Sequence, residues 1–283
     1  MTPPDYVVVG HVTKDLRPGG FTVGGTATYA AAAAQRLGRT AAIVTSAADD
    51  LDPTLLPPGV LLHRIPSPLT TTFENTYHDG YRTQFLRAVA GPLGCADVPP
   101  TWRTAPIVHL GPLAQEVDPA LVDCFPLAIQ GTTPQGWMRA WDAEGRVCYT
   151  PWTSAPTVLR RADVLIFSEE DVRLDEEVID QLTGLATLSV VTRGRRGADV
   201  CVDGKMIHFP AYVATEVDPT GAGDVFAAAF LIRYQETGDW TQAAEFANAA
   251  ASFVIEGPGI STLPTREQVL TRIQSGRIIT TVR

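Results

Sequence analysis

The chain has 283 residues, 45% of them hydrophobic and 19% charged, which is enough apolar material for a core and too little charge for a disordered chain. Its net charge of −9 argues against a nucleic-acid binder, because phosphate contacts need a surplus of Lys and Arg. No apolar run approaches the roughly 18 residues of a membrane helix, and no basic segment precedes the first apolar stretch as it would in a signal peptide. We therefore expect a cytoplasmic protein with neither nucleic-acid nor membrane partners.

The first strand is predicted at 6–10, where a continuous β-branched run begins, and β-branched runs then alternate with helical stretches along the chain. Such runs are typical of strands buried on both faces of a parallel sheet. The alternation predicts one doubly wound, mostly parallel α/β sheet, which we interpret as a single domain over residues 1–283. The further predicted strands are 41–45, 107–110, 127–129, 164–167 and 188–191, and the predicted helices are 27–37, 120–125, 176–182, 225–236, 241–254 and 266–274.

Two segments break this alternation and are predicted to form hairpins. Residues 70–86 are rich in Thr, Tyr and Phe and would turn at Asp79-Gly80, and residues 198–209 would turn at Asp203-Gly204. Pro and Gly cluster at both borders of the first hairpin, so we interpret residues 67–90 as a small β flap, or lid, inserted within the domain. The short segment between Gly10 and Gly24 leaves little room for further lid strands. We expect the protein to be a monomer or a homodimer.

Cysteine and lysine usage excludes several kinds of site. The chain contains no CxxC and no Cys/His cluster, so we expect reduced cysteines rather than a disulfide framework or a zinc site. The only lysines are Lys14 and Lys205, so a phosphate would have to be held without a Walker-type lysine. The four cysteines are Cys95, Cys124, Cys148 and Cys201.

The most informative segment is Asp218-Pro219-Thr220-Gly221-Ala222-Gly223-Asp224, which leads directly into the apolar stretch 225–232. Two glycines let backbone N–H groups converge, and the positive end of the helix dipole completes an anion site. Asp224 would lie in the first turn of that helix, close enough to take a proton from an attacking hydroxyl. On its own, such a turn is also a common helix start with a favourable first-turn charge.

The wider sequence favours the catalytic interpretation. The segment ending at Asp224 closely resembles the Asp-Thr-x-Gly-Ala-Gly-Asp signature of the ribokinase-like (PfkB) carbohydrate kinases. Near the N-terminus, Gly24-Gly25-Thr26-Ala27-Thr28-Tyr29 is similar to the Gly-Gly signature of that family, and 108–113 and 191–197 are similar to its strand-end segments. The version with Pro219 is more similar to the inositol-kinase branch than to ribokinase itself, which favours a cyclic polyol as acceptor.

The resemblance implies a ribokinase-like fold and a phosphotransferase that uses ATP and Mg²⁺. It implies that Asp224 is the general base and that Gly221, Ala222 and Gly223 form the anion hole for the migrating phosphoryl group. It also implies an acceptor site and a nucleotide site at matching positions. The acceptor-side residues are Asp15, Gly24, Gly25 and Tyr29, and the nucleotide-side residues are Thr192, Gly194, Gly197 and Asn248.

Three positions depart from the family pattern. Tyr29 stands where the family usually has an Asn that helps to hold the sugar. Asp171 ends the segment Ser168-Glu169-Glu170-Asp171, which replaces the family's Asn-x-x-Glu, so a contact with magnesium would run through water. Pro219 replaces the common Thr, fixes φ and removes one donor, so a monovalent-cation site at this loop could differ.

The flap would close over the acceptor and exclude water from the donor. Its polar side chains are candidate substrate contacts, and Arg82 and Gln84 share one face of a strand. The leading hypothesis is an ATP-dependent kinase for a small sugar or polyol, such as myo-inositol. A nucleoside kinase with Tyr29 or Phe73 stacked on a base, and a non-catalytic sugar or nucleotide sensor, remain open. The flap candidates are Asn75, His78, Arg82 and Gln84.

Overall fold

The computed structural model describes residues 2–78 and 81–280. The strands are β1 (Tyr6–Val9), β2 (Thr13–Arg17), β3 (Gly20–Gly24), β4 (Ala41–Ala47), β5 (Leu61–Pro66), β6 (Thr72–His78), β7 (Tyr81–Ala88), β8 (Ile107–Leu110), β9 (Ile129–Thr132), β10 (Arg139–Trp141), β11 (Val147–Tyr149), β12 (Val164–Ser168), β13 (Leu188–Thr192), β14 (Ala198–Val202) and β15 (Lys205–Phe209). The α-helices are α1 (Thr26–Arg36), α2 (Ala155–Leu159), α3 (Glu176–Leu185), α4 (Ala222–Thr237), α5 (Trp240–Val254) and α6 (Arg266–Ser275).

The predicted doubly wound sheet is confirmed. It has nine strands in the order β15-β14-β13-β12-β9-β8-β1-β4-β5. The strands from β13 to β5 pair in parallel, and the hairpin of β14 and β15 extends the sheet in antiparallel fashion. The chain leaves β1 toward β4 on one side and returns on its other side at β8, so the strand order reverses there. In open α/β sheets, ligands bind at such a reversal, outside the carboxyl ends of the strands.

Helices cover both faces of this sheet because its strands are apolar on both sides. β1 is completely buried, and α1, α4 and α5 contribute to the core on one face. The alanine run of α1 is buried along 27–34, and its small side chains let this helix pack closely against α4 and the sheet. The other face packs against α2, α3 and the short helical turns that follow β8 and β9. None of the described helices is long and apolar enough to cross a bilayer.

A separate four-stranded sheet, ordered β3-β2-β6-β7, forms the lid. The hairpin of β6 and β7 is confirmed, although its expected turn at Asp79-Gly80 lies outside the described residues. The expectation that the segment before Gly24 leaves little room for lid strands is wrong. Only Pro18 and Gly19 separate β2 from β3, and Gly19 adopts a φ of +84°, so a tight two-residue turn makes room for both strands.

Smaller differences from the sequence predictions have local causes. The predicted helix 120–125 is a 3₁₀ helix, Pro119–Cys124, which begins where the Asp118 side chain accepts a hydrogen bond from the Ala120 amide. The predicted strand 127–129 begins only at Ile129, because Leu127 lies in an exposed turn before β9. The second hairpin forms as expected, with Asp203 and Gly204 both at positive φ.

The expectation of reduced cysteines is wrong for one pair. Cys95 and Cys124 form a disulfide, with their Cα atoms 5.9 Å apart. They belong to two short 3₁₀ segments, one after the lid and one before β9, that pack against the same face of the sheet. Sequence spacing does not reveal this proximity, because the contact is made only in the folded chain. Cys148 is exposed and Cys201 is buried, and both are free thiols.

Candidate active site

The start of α4 lies at the carboxyl edge of the central sheet, where the sequence predicted an anion site. Gly221 begins this helix in the left-handed region, with φ of +82°. Its Cα packs directly against the ring of Tyr29, so no side chain would fit there without moving that ring. Both the positive φ and the close approach require glycine. The tight turn therefore depends on a residue of α1 as well as on its own sequence.

Asp224 lies in the first turn of α4 and is partly buried. Burial raises the pKa of this carboxyl to about 6, and the charge of Asp171 acts in the same direction. A hydrogen bond from Thr26 and the nearby guanidinium of Arg139 partly offset the rise in pKa. A carboxylate whose pKa lies near neutrality can accept a proton and release it again. This is the property that a general base needs.

Some backbone amides of the glycine turn donate hydrogen bonds within the turn, and others are free. The Ala222 amide donates to the Pro219 carbonyl at 3.2 Å, and the Val225 amide donates to the Gly221 carbonyl at 2.9 Å. Within the described part of the chain, the amides of Gly221, Gly223 and Asp224 have no acceptor. Because Ala222 closes the turn, the amides available to an anion differ from the predicted set at one position. Free amides at a helix start favour negative charge.

The acceptor-side candidates Asp15, Gly24 and Tyr29 come together beside this turn. Asp15 lies on β2, where Thr13 Oγ1 donates to its Oδ1 at 3.2 Å. Its carboxylate packs against the Cα of Gly24, which leaves no space for a side chain at that position. Burial raises the pKa of Tyr29 to about 12, and the charges of Asp15 and Asp224 add to the rise. The Tyr29 phenol thus remains protonated at neutral pH, and it lies close enough to both predicted functional carboxylates to feel their charge.

Gly25 holds the start of α1 in place. It adopts a φ of +91° and packs against the His11 carbonyl and the Leu113 side chain. A β-carbon at Gly25 would require the backbone to shift, so the glycine pair fixes where α1 begins. Tyr29 lies in the first turns of this helix, so its position follows from the same packing.

The lid candidates are only partly described. Asn75 and Gln84 lie opposite each other on β6 and β7, and Gln84 Nε2 donates to Asn75 Oδ1 at 3.2 Å. The side chains of His78 and Arg82 lie outside the described residues. Phe73, on the same lid strand as Asn75, is 3% exposed and packs under the lid.

Sequence reasoning missed Arg139 and Gln135, which follow β9. The Arg139 guanidinium lies 5.6 Å from the centroid of the Phe73 ring, donates to the Leu113 carbonyl at 3.3 Å, and lowers the pKa of Asp224. Gln135 Nε2 donates to Asp171 Oδ1 at 2.6 Å. The rule that functional residues follow strand ends could have found both. It pointed instead to residues 130–131, because the strand was predicted to end at residue 129, which is where β9 begins.

Asp171 is held in place by two protein donors. The Ser168 amide donates to Oδ2 at 2.9 Å, and Gln135 donates to Oδ1. Each carboxylate oxygen keeps a free lone pair, so Asp171 can still accept hydrogen bonds from metal-bound water. Among the described residues, no group of three His, Cys, Asp or Glu side chains could hold a metal directly. The donor set therefore fits a magnesium ion that is held through water and donor phosphates.

The loop between β13 and β14 carries the nucleotide-side candidates Gly194 and Gly197, both at positive φ. It is fixed by Arg193, which is 9% exposed and forms ion pairs with Glu169 at 2.9 Å, Glu176 at 2.6 Å and Asp199 at 2.9 Å. The pKa of Arg193 is raised by these carboxylates, above all by its hydrogen bond to Glu176. The loop geometry is therefore set by charge pairing around the buried Arg193.

The remaining nucleotide-side candidates form hydrogen bonds within the protein. Thr192 Oγ1 donates to the Phe167 carbonyl at 3.5 Å. Asn248 is 7% exposed, and its Nδ2 donates to the Phe209 carbonyl at 3.3 Å. Gly197 packs against the same carbonyl, so the β14–β15 hairpin and α5 are joined beside the loop.

Comparisons with known proteins identify chains of similar sequence. Residues 155–266 match the model of the pfkB family carbohydrate kinases. The chain is 38% identical over 107 residues to a nucleoside kinase of Methanocaldococcus jannaschii, covering 37% of this chain and 35% of that protein. It is 27% identical over 192 residues to a fructokinase of Escherichia coli, covering 60% and 62%. The matches thus span between about a third and three fifths of the length of these two relatives.

Solved structures show the fold. A pyrophosphate-dependent kinase in the ribokinase family, complexed with a pyrophosphate analog and myo-inositol, superposes with a TM-score of 0.77 at 23% identity, covering 94% of this chain and 99% of that one. Arabidopsis thaliana ribokinase, complexed with ribose and ATP, gives a TM-score of 0.72 at 21% identity, covering 97% and 100%. Together with the family match over residues 155–266 and the glycine turn at the start of α4, these findings show that the chain has the ribokinase fold and that its C-terminal part carries the sequence pattern of the pfkB family carbohydrate kinases.

Proposed function

We propose that the chain transfers a phosphoryl group from a polyphosphate donor to a hydroxyl of a small sugar or polyol. The observation that carries this proposal is Asp224, a partly buried carboxylate with a pKa of about 6 in the first turn of α4, beside free backbone amides. These are the two elements that phosphoryl transfer to an alcohol requires, a base for the hydroxyl and a cradle for the migrating charge.

In the proposed reaction, the acceptor hydroxyl oxygen attacks phosphorus while its proton passes to the Asp224 carboxylate. The bond between phosphorus and the bridging oxygen of the donor breaks, and that oxygen keeps the electron pair. The Gly221 and Gly223 amides would donate to the phosphoryl oxygens during transfer. Thr26 orients the Asp224 carboxylate through its hydrogen bond, and Arg139 adds a positive charge nearby.

The acceptor would lie between the lid and the start of α1. Asp15 accepts hydrogen bonds from acceptor hydroxyls, and the protonated Tyr29 phenol can donate to one. Asn75 and Gln84 offer both donors and acceptors from the lid. A ring carrying several hydroxyls matches this alternation of donors and acceptors. The solved relative that is complexed with myo-inositol makes that polyol our first candidate acceptor.

A nucleoside acceptor is the second candidate, since relatives include a nucleoside kinase and a cytidine kinase of Thermococcus kodakarensis. It would need an exposed ring for base stacking. Tyr29 packs against Gly221, and Phe73 is buried with Arg139 next to its ring, so both expected stacking residues are already covered. This packing favours a sugar or polyol over a nucleoside.

The donor side supports a polyphosphate with magnesium. Asp171 would hold Mg²⁺ through water, and the bound metal would neutralise charge on the donor phosphates. The family resemblance favours ATP as donor. Pyrophosphate is the alternative donor, because a solved relative of the same fold is described as pyrophosphate-dependent.

A donor-by-acceptor matrix tests the proposal. ATP and pyrophosphate would each be combined with myo-inositol, fructose, ribose, adenosine and cytidine, and phosphorylated product would be followed by ³¹P NMR. We expect turnover with a sugar or polyol in the presence of Mg²⁺, and loss of it in Asp224→Asn. Ligand binding without turnover in every combination would instead support the non-catalytic sensor, and turnover confined to nucleosides would reject the sugar or polyol acceptor.

A further inference from the structure

Three side chains that the proposed mechanism does not use form a buried hydrogen-bonded chain beneath the site. Tyr6 of β1 and His109 of β8 are completely buried, and Tyr6 Oη lies 2.7 Å from His109 Nδ1. His109 Nε2 lies 2.9 Å from Oγ1 of Thr133, the residue that follows β9. Polar groups buried in a sheet core are costly unless each is satisfied, so this arrangement calls for a physical explanation.

The direction of these hydrogen bonds follows from satisfaction of the buried groups. Burial lowers the pKa of His109 to about 3, so the ring is neutral and has one donor nitrogen and one acceptor nitrogen. Within the described part of the chain, Tyr6 Oη has no partner other than His109. If Nδ1 carried the proton, the Tyr6 hydroxyl proton would be buried without an acceptor. Tyr6 therefore donates to Nδ1, and Nε2–H donates to Thr133.

Thr133 is left with a proton to donate. Its Oγ1 accepts from His109, and the hydroxyl proton has no acceptor among the described residues. Thr133 is partly buried at the carboxyl end of β9. The Thr133 hydroxyl and the methyl group of Thr26 both lie beside Gly111. Thr26 in turn is the residue whose side chain forms a hydrogen bond with Asp224. The free donor therefore lies one side chain away from the proposed base.

Strand order places Thr133 between the two halves of the cleft. β9 pairs with β12, which leads to Asp171 on the donor side, and with β8, which pairs with β1 on the acceptor side. A phosphoryl group that moves from donor to acceptor must cross the carboxyl ends of these strands. Thr133 lies on that route.

We propose that Tyr6 and His109 are positioning residues that orient the Thr133 hydroxyl so that it donates a hydrogen bond to the phosphoryl group in transfer. The proposal rests on the proposed phosphotransferase function and adds a side-chain donor to the backbone amides of α4. A fixed buried chain avoids the need to reorient this hydroxyl during the reaction.

A double-mutant cycle tests the proposal with the best donor and acceptor from the matrix. Thr133→Val keeps the shape and removes the hydroxyl, and we expect kcat to fall about 10- to 100-fold, the weight of a hydrogen bond to a charged group, with the acceptor KM nearly unchanged. Thr133→Ser should restore most of kcat. Tyr6→Phe should lower kcat several-fold in the wild-type chain and have no further effect in the Thr133→Val chain.

Two matched variants control for packing. Tyr234→Phe removes a phenol near the far end of α4, and Thr183→Val removes a buried hydroxyl from α3. Neither should change kcat. If Tyr6→Phe lowers kcat by the same factor with and without the Thr133 hydroxyl, or if Thr133→Val changes only KM, the proposal is overturned.

The tautomer of His109 gives a readout that does not depend on turnover. In protein labelled with ¹⁵N-histidine, His109→Gln assigns the signal, and we expect a neutral ring protonated at Nε2. A ring protonated at Nδ1 in an active enzyme overturns the proposal and leaves the phosphotransferase function intact. Absence of turnover across the whole matrix overturns both, whatever the tautomer.

Discussion

Two glycine-containing loops at the same edge of the sheet use their polar groups in opposite ways. At the start of α4, backbone amides have no partner within the described residues, and the Asp224 carboxylate is held at a raised pKa. In the loop after β13, Arg193 is paired with three carboxylates. The first loop keeps its polar groups available for chemistry, and the second uses them to fix its own shape. Substitutions should therefore separate activity from stability.

Asp224→Asn should give the largest effect on activity. The amide keeps the shape of the side chain but does not accept the acceptor's proton, so we expect kcat to fall by about 10²- to 10⁴-fold. Because a partly desolvated charge is removed, the free energy of unfolding should stay the same or rise. Steady-state kinetics and urea unfolding of one preparation measure both. Turnover close to that of the wild type would show that Asp224 is not the base.

Arg193→Met should show the opposite pattern. It removes the buried cation that pairs with Glu169 and Asp199, which keep only the more exposed side chains of Arg196 and His208 as partners, so the free energy of unfolding should fall by about 3 kcal/mol. The KM for the donor should rise more than kcat falls, because the loop lies on the donor side. Chemical denaturation and donor titration provide these values.

Arg195→Met is the matched control, because Arg195 belongs to the same loop and its side chain is 79% exposed. Its replacement should change the free energy of unfolding by no more than about 0.5 kcal/mol. Equal losses for the two variants would show that buried pairing does not fix this loop.

Gly221→Ala should have a smaller effect on stability, of about 2 kcal/mol. The new side chain would be strained at φ of +82° and would meet the Tyr29 ring. Gly223→Ala, two residues later, places its Cβ in open space within a helix and should be neutral or slightly stabilising. Thermal unfolding of both variants checks the contrast. Equal stability would mean that the turn does not depend on its contact with α1.

The parts of the molecule that sequence reasoning predicted are those determined by local patterns. The buried strands are continuous β-branched runs, and the turn at Gly221 is marked by its own glycines, so both could be predicted from neighbouring residues. The lid hairpin of β6 and β7 is marked by its own richness in Thr, Tyr and Phe and could be predicted in the same way.

The features that were missed depend on contacts between distant segments. β2 finds its place in the lid only by pairing with β6, and Cys95 meets Cys124 only after both segments pack on the sheet. Arg139 joins the site because β10 brings it close to both the lid and Asp224. The buried chain from Tyr6 to Thr133 crosses three strands. No local pattern in the sequence indicates these contacts between distant segments.

The pH dependence of kcat/KM for the acceptor tests the central claim most directly, because it reports the protonation state of the proposed base in the free enzyme. Burial raises the pKa of Asp224 to about 6, and the carboxyl can accept a proton only when it is ionised. We predict that kcat/KM is constant above about pH 7, is halved near pH 6, and falls about tenfold per pH unit below that. A kcat/KM that stays constant down to pH 5 would contradict the account.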